Sequence, residues 1–217
     1  MVKHIKLRVC DSTQDELKAH PEDRVLVTTE TQSKGRGRGD HQWEHAKGSL
    51  AFSFSCAPHP HLSWQSLEIA VVLQEFITQR FGVQLQLKWP NDLYHKQSKC
   101  GGILLHHHDG KMHIGIGLNL LAHSTWGGVL SDPSLWSERM AHDVPREFVD
   151  YYLARSPLPR ENIASAWVTH CAHIKKAVVL SEGREEAAGI FDGLGLHGEA
   201  VIDGKSYYNG SLRIRDL

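Results

Sequence analysis

The sequence lacks the features that would place it outside the cell or in a membrane. It has no pair of cysteines in a C-x-x-C pattern, and its four cysteines are scattered along the chain: Cys10, Cys56, Cys100 and Cys171. This pattern indicates neither a disulfide framework nor a thiolate zinc site, and it favours the reducing cytoplasm. Residues 1–10 contain no apolar signal-peptide core, and the longest apolar runs, such as Ile69–Leu73, are too short to cross a bilayer. We therefore expect neither secretion nor a membrane span.

The sequence also has almost no net charge. The 24 basic and 25 acidic residues give a formal charge of -1, so no bulk field directs the chain to nucleic acid or to anionic membranes. Any anion that it binds must be held by a local arrangement of side chains. With 217 residues, of which 41% are hydrophobic, the chain has enough apolar material for one full core and a small appended module.

The order of the predicted elements indicates an α+β fold, in which helices flank a mixed sheet. Alternating hydrophobicity predicts strands at 5–9, 49–56 (half-buried) and 84–88, and β-branched residues predict a strand at 24–29. Two further strands are predicted at 100–106 and 112–121. Helices are predicted at 14–20, after the N-cap cluster at 11–13, and at 63–81, 148–154 and 162–170. The dipeptide Asp109-Gly110 predicts a hairpin turn. After Ile174 the pattern changes to short strands between glycine turns. We therefore divide the chain into a larger domain, residues 1–173, and a small all-β, barrel-like domain, residues 174–217.

The segment Thr31–Gly48 is predicted to be a loop, and it is the most unusual part of the chain. It contains four glycines, a concentration that no helix or central strand tolerates. In Gly35-Arg36-Gly37-Arg38-Gly39 the glycines allow close approach of the backbone to a ligand, and the two guanidinium groups suit phosphate or carboxylate. Taken alone, a solvated arginine turn explains this motif equally well, and an RNA-binding segment is a further alternative.

A second polar cluster follows a predicted strand. It consists of Lys88-Trp89-Pro90-Asn91-Asp92, with Lys99 shortly before Gly101-Gly102. Proline forces the chain out of the strand and leaves Asn91 and Asp92 at its end, where an amide and a carboxylate can meet polar ligand atoms and a magnesium ion. The alternative is an ordinary Asx turn beside two surface lysines.

These two clusters occur in a fixed order with several other motifs: Asp11-Ser12-Thr13, Gln32, Gly115-Ile116-Gly117-Leu118-Asn119 and Ser211-Leu212-Arg213. In this ordered combination the sequence resembles the biotin protein ligase family. The resemblance implies that residues 1–173 form a biotin- and ATP-binding catalytic domain similar to class II aminoacyl-tRNA synthetases. It also implies an ATP-dependent, AMP-forming reaction. Biotin and ATP give biotinyl-5'-AMP and pyrophosphate, and a lysine of a biotin carrier domain, such as that of acetyl-CoA carboxylase, then attacks the adenylate.

The resemblance also implies roles for individual residues. Positions that bind biotin are matched by Ser12, Thr13, Gln14, Gln32, Arg36, Gly37, Arg38, Lys99, Gly101 and Gly102. Positions around the nucleotide and its phosphates are matched by Arg36, Arg38, Trp43, Lys88, Asn91, Asn119 and Arg213. Lys99 and Arg38 are the implied catalytic cations, because joining a carboxylate to a phosphate brings two anions together. A magnesium ion is expected near Asn91 without a dedicated protein cage, and Asp92 receives no definite role.

The sequence departs from the family pattern in the arginine-glycine segment. Where the family often has R-G-R-x-W, this chain has Gly39-Asp40-His41-Gln42-Trp43, so one or two cations are missing. We expect a weaker grip on pyrophosphate or faster loss of the adenylate. At the first motif, Gln14 stands where asparagine is usual. Since the matched pattern begins almost at residue 1, no DNA-binding domain or repressor activity is expected, and both a monomer and a homodimer remain open.

Two alternative functions follow from these motifs. The altered segment from Gly39 to Gln42 is compatible with a non-catalytic sensor that binds biotin without forming an adenylate. A lipoate or octanoate transferase on a related fold is the other alternative. It is disfavoured by Trp89-Pro90-Asn91-Asp92 and by the arginine-glycine motif.

The sixteen histidines, including His106-His107-His108 and His113, suggest a metal site at first sight. Consecutive residues of a strand point to opposite faces, however, and no H-E-x-x-H spacing is present, so solvated hairpin histidines are the favoured interpretation. Four tryptophans are interpreted as packing residues, since buried aromatic area is their usual contribution: Trp64, Trp126, Trp136 and Trp167.

Overall fold

The structure is a computed structural model that describes residues 1–39 and 41–215, so Asp40 of the altered segment lies outside the described residues. The described residues form two large sheets, a short ribbon and four α-helices. In chain order the elements are β1 (Lys3–Cys10), α1 (Thr13–Lys18), β2 (Val25–Gln32), β3 (Gly35–Arg36), β4 (Gln42–Trp43), β5 (Ser49–Cys56), α2 (Gln65–Phe81), β6 (Gln86–Lys88), β7 (Asp92–His95), β8 (Ser98–His108), β9 (Lys111–Asn119), α3 (Met140–Leu153), α4 (Arg160–Thr169), β10 (Ala177–Glu182), β11 (Glu185–Leu194), β12 (Ala200–Ile202), β13 (Lys205–Tyr207) and β14 (Ser211–Ile214). The predicted α+β fold with a mixed sheet is confirmed.

The larger sheet has seven strands in the order β1-β2-β5-β9-β8-β7-β6. Strands β1 and β2 are parallel, which requires a crossover, and α1 lies in that connection. The remaining neighbours are antiparallel. The hairpin β8–β9 turns at Asp109 and Gly110, whose φ angles of 48° and 74° are those of a turn that suits twisted strands.

The two faces of this sheet carry side chains of very different size, and β5 shows the contrast. Phe52 and Phe54 point to one face, where both rings meet Phe148 of α3 edge-on at centroid distances of 6.1 and 6.2 Å. Ala51 and Ser53 point to the opposite face. All eight residues of β5 are buried, so the prediction of a half-buried strand was wrong. Helix α1 lies over the face that carries its small side chains, so these side chains are not exposed to solvent.

Helix α3 begins eight residues before the predicted start at 148 and continues through Pro145. Proline ordinarily weakens a helix interior. Here Ala141, Val144 and Phe148 recur at helical spacing and are all buried against the sheet. Burial of this apolar face therefore outweighs the local effect of the proline.

The C-terminal part of the chain forms a five-stranded antiparallel sheet in the order β13-β12-β11-β10-β14, which confirms the predicted all-β module. Its apolar side chains, such as Leu180 and Phe191, belong to the same core as Trp167 of α4. Two indole N–H groups from the larger part bind it: Trp64 Nε1 donates to Leu196 O (3.2 Å) and Trp89 Nε1 to Gly198 O (3.1 Å). The domain division near residue 174 stays a prediction.

The four cysteines are all buried and unpaired, as expected from their spacing. Among the helices of the described residues, none combines the length and the apolar composition needed to cross a membrane.

Candidate functional site

A cavity of about 800 Å³ lies on the face of the large sheet that carries small side chains. Ala51 and Ser53 of β5 stand beside Gly117 and Gly115 of β9, and Gly117 stands beside Gly102 of β8. Three neighbouring strands therefore contribute almost no side-chain volume to this face. The volume lies within the range of roughly 300–1,000 Å³ that is usual for small-molecule sites.

One end of the cavity is lined by buried polar groups from α1 and the end of β2. The backbone N–H of Thr13 donates to Gln32 Oε1 at 2.8 Å, and Thr13 Oγ1 lies 2.8 Å from Ser53 Oγ. Ser12 precedes α1 and is also buried. These contacts fix Thr13 and Gln32 in the cavity wall, and Ser12 lines the cavity beside them.

Gln14 lies at the same end and has an unusual environment. It is only 4% exposed, and both polar atoms of its side-chain amide are buried without a hydrogen-bond partner among the described residues. Room for this amide depends on Gly115, because an added Cβ there would lie 2.5 Å from Gln14 Nε2. A buried amide without partners is costly unless a ligand supplies them, so Gln14 is suited to bind one.

A pair of lysines and one carboxylate lie near the opposite side of the cavity. Lys88 and Asp92 face each other across β6 and β7, and Lys88 Nζ donates to Asp92 Oδ2 at 3.0 Å. Lys99 Nζ lies 2.5 Å from Asp92 Oδ1. Burial by itself would raise the pKa of Asp92, but the charges of Lys88 and Lys99 outweigh it, and the pKa lies below its ordinary value. Asp92, which received no role from the sequence, is the group that holds both lysines.

The arginine-glycine segment forms a short ribbon, β3–β4, where a loop was predicted. Arg36 Nη2 pairs with Asp15 Oδ2 of α1 at 2.7 Å. Arg38 Nη1 donates to Gly210 O at 3.2 Å and lies 3.5 Å from Asn91 Oδ1. Burial lowers the pKa of Arg38 from its ordinary value, although nearby Asp92 opposes this effect. The ribbon thus brings two guanidinium groups to the cavity.

Two tryptophans complete the wall. Trp43 lies directly against Gly117, where an added Cβ would be 2.4 Å from the indole ring. Trp126, interpreted from the sequence as a packing residue, also lines the cavity, and Lys99 Nζ lies 6.0 Å from its ring centroid. Its indole N–H donates to Glu44 Oε2 at 3.3 Å. The structure therefore places at the cavity a tryptophan that the sequence analysis assigned to packing alone.

Most of the predicted residues are brought together, but three do not line the cavity. An added Cβ at Gly101 would meet Leu93 and Leu118, which places this glycine on the core face. Asn119 is buried and accepts a hydrogen bond from Ser49 Oγ at 2.7 Å. Arg213 is exposed, and its guanidinium pairs with Glu186. The C-terminal part instead contributes Ser211 and Leu212 of the same motif, together with four residues that the sequence did not single out: Ser181, Glu182, Gly183 and Gly210.

Comparisons with known proteins identify the family and the fold of the chain. The biotin/lipoate A/B protein ligase family matches residues 7–120, more than half of the chain. A biotin–acetyl-CoA-carboxylase ligase of Paracoccus denitrificans is 28% identical over 138 residues, which cover 56% of this chain and 58% of that relative. The match therefore spans less than two thirds of the relative's length.

Solved structures resemble the whole chain in fold. The biotin protein ligase of Aquifex aeolicus in complex with biotin and ATP has a TM-score of 0.80 at 23% identity, over 99% of this chain and 100% of that one. The biotin acetyl coenzyme A carboxylase synthetase of Helicobacter pylori with bound biotinylated ATP has a TM-score of 0.72 at 22% identity, over 99% and 100%. At these identities the likeness shows the fold.

Proposed function

Because the chain belongs to the biotin/lipoate A/B protein ligase family, we propose that it is a biotin protein ligase. It activates biotin with ATP to biotinyl-5'-AMP and transfers biotin to a lysine of a biotin carrier domain. The observation that carries this proposal is the arrangement of one cavity, with buried amide and hydroxyl groups at one end and the cations Lys99 and Arg38 at the other. The names of the relatives support biotin as the substrate.

The buried polar end suits a neutral, planar head group such as the ureido ring of biotin. Such a ring presents N–H donors and a carbonyl acceptor within a small area. Gln14 offers both a donor and an acceptor, and the hydroxyl groups of Ser12 and Thr13 can act as either. The glycine-lined strands would lie along the apolar part of the ligand.

The cationic end suits the meeting of two anions. In the first half-reaction a carboxylate oxygen attacks the α-phosphate and pyrophosphate leaves, so negative charge accumulates where the two substrates approach. Lys99 is only partly exposed and is held by a single carboxylate oxygen, so its ammonium group can shift from Asp92 to the reacting oxygens. Arg38 supplies further hydrogen-bond donors. Lys88 remains paired with Asp92 when Lys99 moves.

Magnesium fits this cavity as an ion carried by the nucleotide. Within residues 1–39 and 41–215 no three His, Cys, Asp or Glu side chains are grouped to hold a metal, and Asp92 is already engaged by two lysines. The Oδ1 atom of Asn91 is an oxygen ligand of the kind Mg²⁺ accepts, and Mg²⁺ commonly binds through one or two protein oxygens and substrate phosphates. Asn91 would thus hold an ion that neutralises phosphate charge.

In the second half-reaction the amine of a carrier lysine attacks the carboxyl carbon of the mixed anhydride. The carbon–oxygen bond to the phosphate breaks, AMP leaves, and the nitrogen loses its proton as the amide forms. Cations at Lys99 and Arg38 also stabilise the departing phosphate. The same residues therefore act in both half-reactions.

The test uses the full chain with biotin, Mg-ATP and a biotin carrier domain. Intact mass of the carrier is expected to increase by one biotinyl group, and Lys99→Ala is expected to slow the increase by roughly 10²–10³-fold. An unmodified carrier, in the presence of a folded protein, would contradict the proposal.

Two further assays separate the alternatives. Biotin-dependent exchange of pyrophosphate into ATP is expected for an enzyme and is absent from a biotin sensor. Competition between biotin and lipoate for binding is expected to favour biotin, and a preference for lipoate would indicate the other branch of the family.

A separate assay addresses the altered segment that contains His41 and Gln42. Rapid filtration after the first half-reaction measures how fast the protein releases the adenylate.

A further inference from the structure

Three histidines share one face at the end of the β8–β9 hairpin. His106 and His113 are direct partners across the two strands, and His108 follows His106 by two residues, so all three side chains leave the sheet on the same side. His107 pairs with Met112 and points to the other side. The consecutive histidines were interpreted from the sequence as solvated. Two of them, His106 and His108, therefore lie on the same face as His113.

The geometry of an antiparallel pair brings these imidazoles within reach of one another. Directly opposite residues have Cβ atoms roughly 4.5–5.5 Å apart. The rings of His108 and His113 lie 5.4 Å apart, centroid to centroid. A strand with histidines at i and i+2, together with a third histidine on the neighbouring strand, can place three ring nitrogens around one point.

His113 provides a second and independent indication of a ligand. It is 3% exposed, and its Nδ1 is buried without a hydrogen-bond partner among the described residues. An unpartnered polar atom in the interior is costly, so a group that bonds to it would be stabilising.

The charges around this face are largely compensated. Lys18 and Arg36 both approach Asp15, at 3.4 and 2.7 Å, and Lys111 pairs with Asp23 at 2.8 Å. His108 itself lies 3.4 Å from Asp109. A cation bound here would therefore meet nearby carboxylates as well as ammonium and guanidinium groups.

We propose that His106, His108 and His113 bind a divalent first-row transition cation such as Zn²⁺ or Ni²⁺. In the described residues the three side chains are not already grouped around a common point, so binding requires His106 and His108 to turn toward His113. Both are at the surface or only partly buried, and exposed side chains change rotamer rapidly. Imidazole ligands suit Zn²⁺, Ni²⁺ and Cu²⁺ rather than Mg²⁺, so this site is distinct from the magnesium of the nucleotide.

The experiment is calorimetric titration of the untagged full chain with Zn²⁺ alone, without biotin or ATP, so its outcome is independent of the proposed function. One equivalent is expected to bind. His106→Ala and His108→Ala are each expected to weaken binding on the order of 100-fold, because losing a direct ligand costs at least as much as losing a supporting partner. His107→Ala is the matched control and is expected to bind like the unmodified chain.

Co²⁺ titration provides a spectroscopic check, because visible absorption reports the nitrogen ligands directly. Loss of the bands in His106→Ala, but not in His107→Ala, is the expected result. Absence of saturable binding at one equivalent would overturn the proposal, and so would an equal loss of Zn²⁺ affinity in His107→Ala and His106→Ala, which would indicate non-specific binding by surface imidazoles.

Discussion

The two groups of cations that border the cavity are held in different ways. Lys88 and Lys99 share the carboxylate of Asp92 and stand on paired strands of the large sheet. Arg36 lies on strand β3 of the ribbon and pairs with Asp15 of α1, whereas Arg38 lies between β3 and β4 and donates to the carbonyl of Gly210. Both lysines are therefore held by one carboxylate of the large sheet, whereas each arginine is held by a contact with a separate part of the chain. We infer that the first group is preorganised and the second adjusts to the ligands.

The largest effect is expected for Lys99→Ala. This substitution removes the cation nearest to the two reacting anions, and loss of one such group typically lowers turnover by roughly 10²–10³-fold. Biotin-dependent pyrophosphate exchange measures it. The matched control is Lys205→Ala on β13, outside the residues that line the cavity, which is expected to keep full exchange. Unchanged exchange in Lys99→Ala would remove Lys99 from the mechanism.

The next effect is a loss of stability in Asp92→Asn. Removing a buried carboxylate leaves two lysines facing each other, and breaking such a pair costs about 3–5 kcal/mol. Because Lys99 is partly exposed, we expect about 2 kcal/mol, measured by urea unfolding at pH 7. The pKa of Asp92 is lowered in the folded chain, so its contribution is complete above the ordinary value of 3.8 and is lost as the pH falls through the lower folded-state pKa.

Measuring the unfolding of both proteins at lower pH provides the control for this prediction. The stability difference between Asp92→Asn and the unmodified chain is expected to shrink as the pH is lowered below 3.8. A variant as stable as the unmodified chain at pH 7 would show that Asp92 does not hold the lysines, and the contrast between the two groups of cations would fail.

The smallest effect on folding is expected for Arg38→Ala. Its contacts join the ribbon to Gly210 and Asn91 rather than to the core, so the free energy of unfolding should change by less than about 0.5 kcal/mol. Turnover in pyrophosphate exchange should still fall, by no more than the roughly 10²–10³-fold expected for Lys99→Ala, because a donor to the phosphates is lost. A large loss of stability would instead place the ribbon within the preorganised part of the molecule.

The sequence predicted elements whose signals are local. The dipeptide Asp109-Gly110 predicted its hairpin because the turn needs positive φ angles. The change to short strands after Ile174 predicted the C-terminal sheet. The full burial of β5 was not predictable, because its serines face a surface closed by distant parts of the chain. Local patterns therefore predicted strands but not what covers them.

The candidate site shows the same limit. The ordered motifs assigned Thr13, Gln32 and Lys99 to one site. They did not indicate which side chains of each motif face the cavity. Asn119 is part of a matched motif, yet Ser49 and the chain near Val129 cover it. Trp126 lies in a segment without clear periodicity, and only the fold brings its ring near Lys99. The position of a residue in a motif does not determine its exposure.

The bonds that join the C-terminal sheet to the rest of the chain share one property. Trp64, Trp89 and Arg38 donate to main-chain carbonyls, those of Leu196, Gly198 and Gly210. A carbonyl is present whatever amino acid carries it, so mutation can replace side chains in the C-terminal sheet without removing these acceptors. We therefore expect this part of the chain to diverge quickly between relatives while its backbone stays in place. The family match ends at residue 120, whereas the likeness in fold extends over nearly the whole chain.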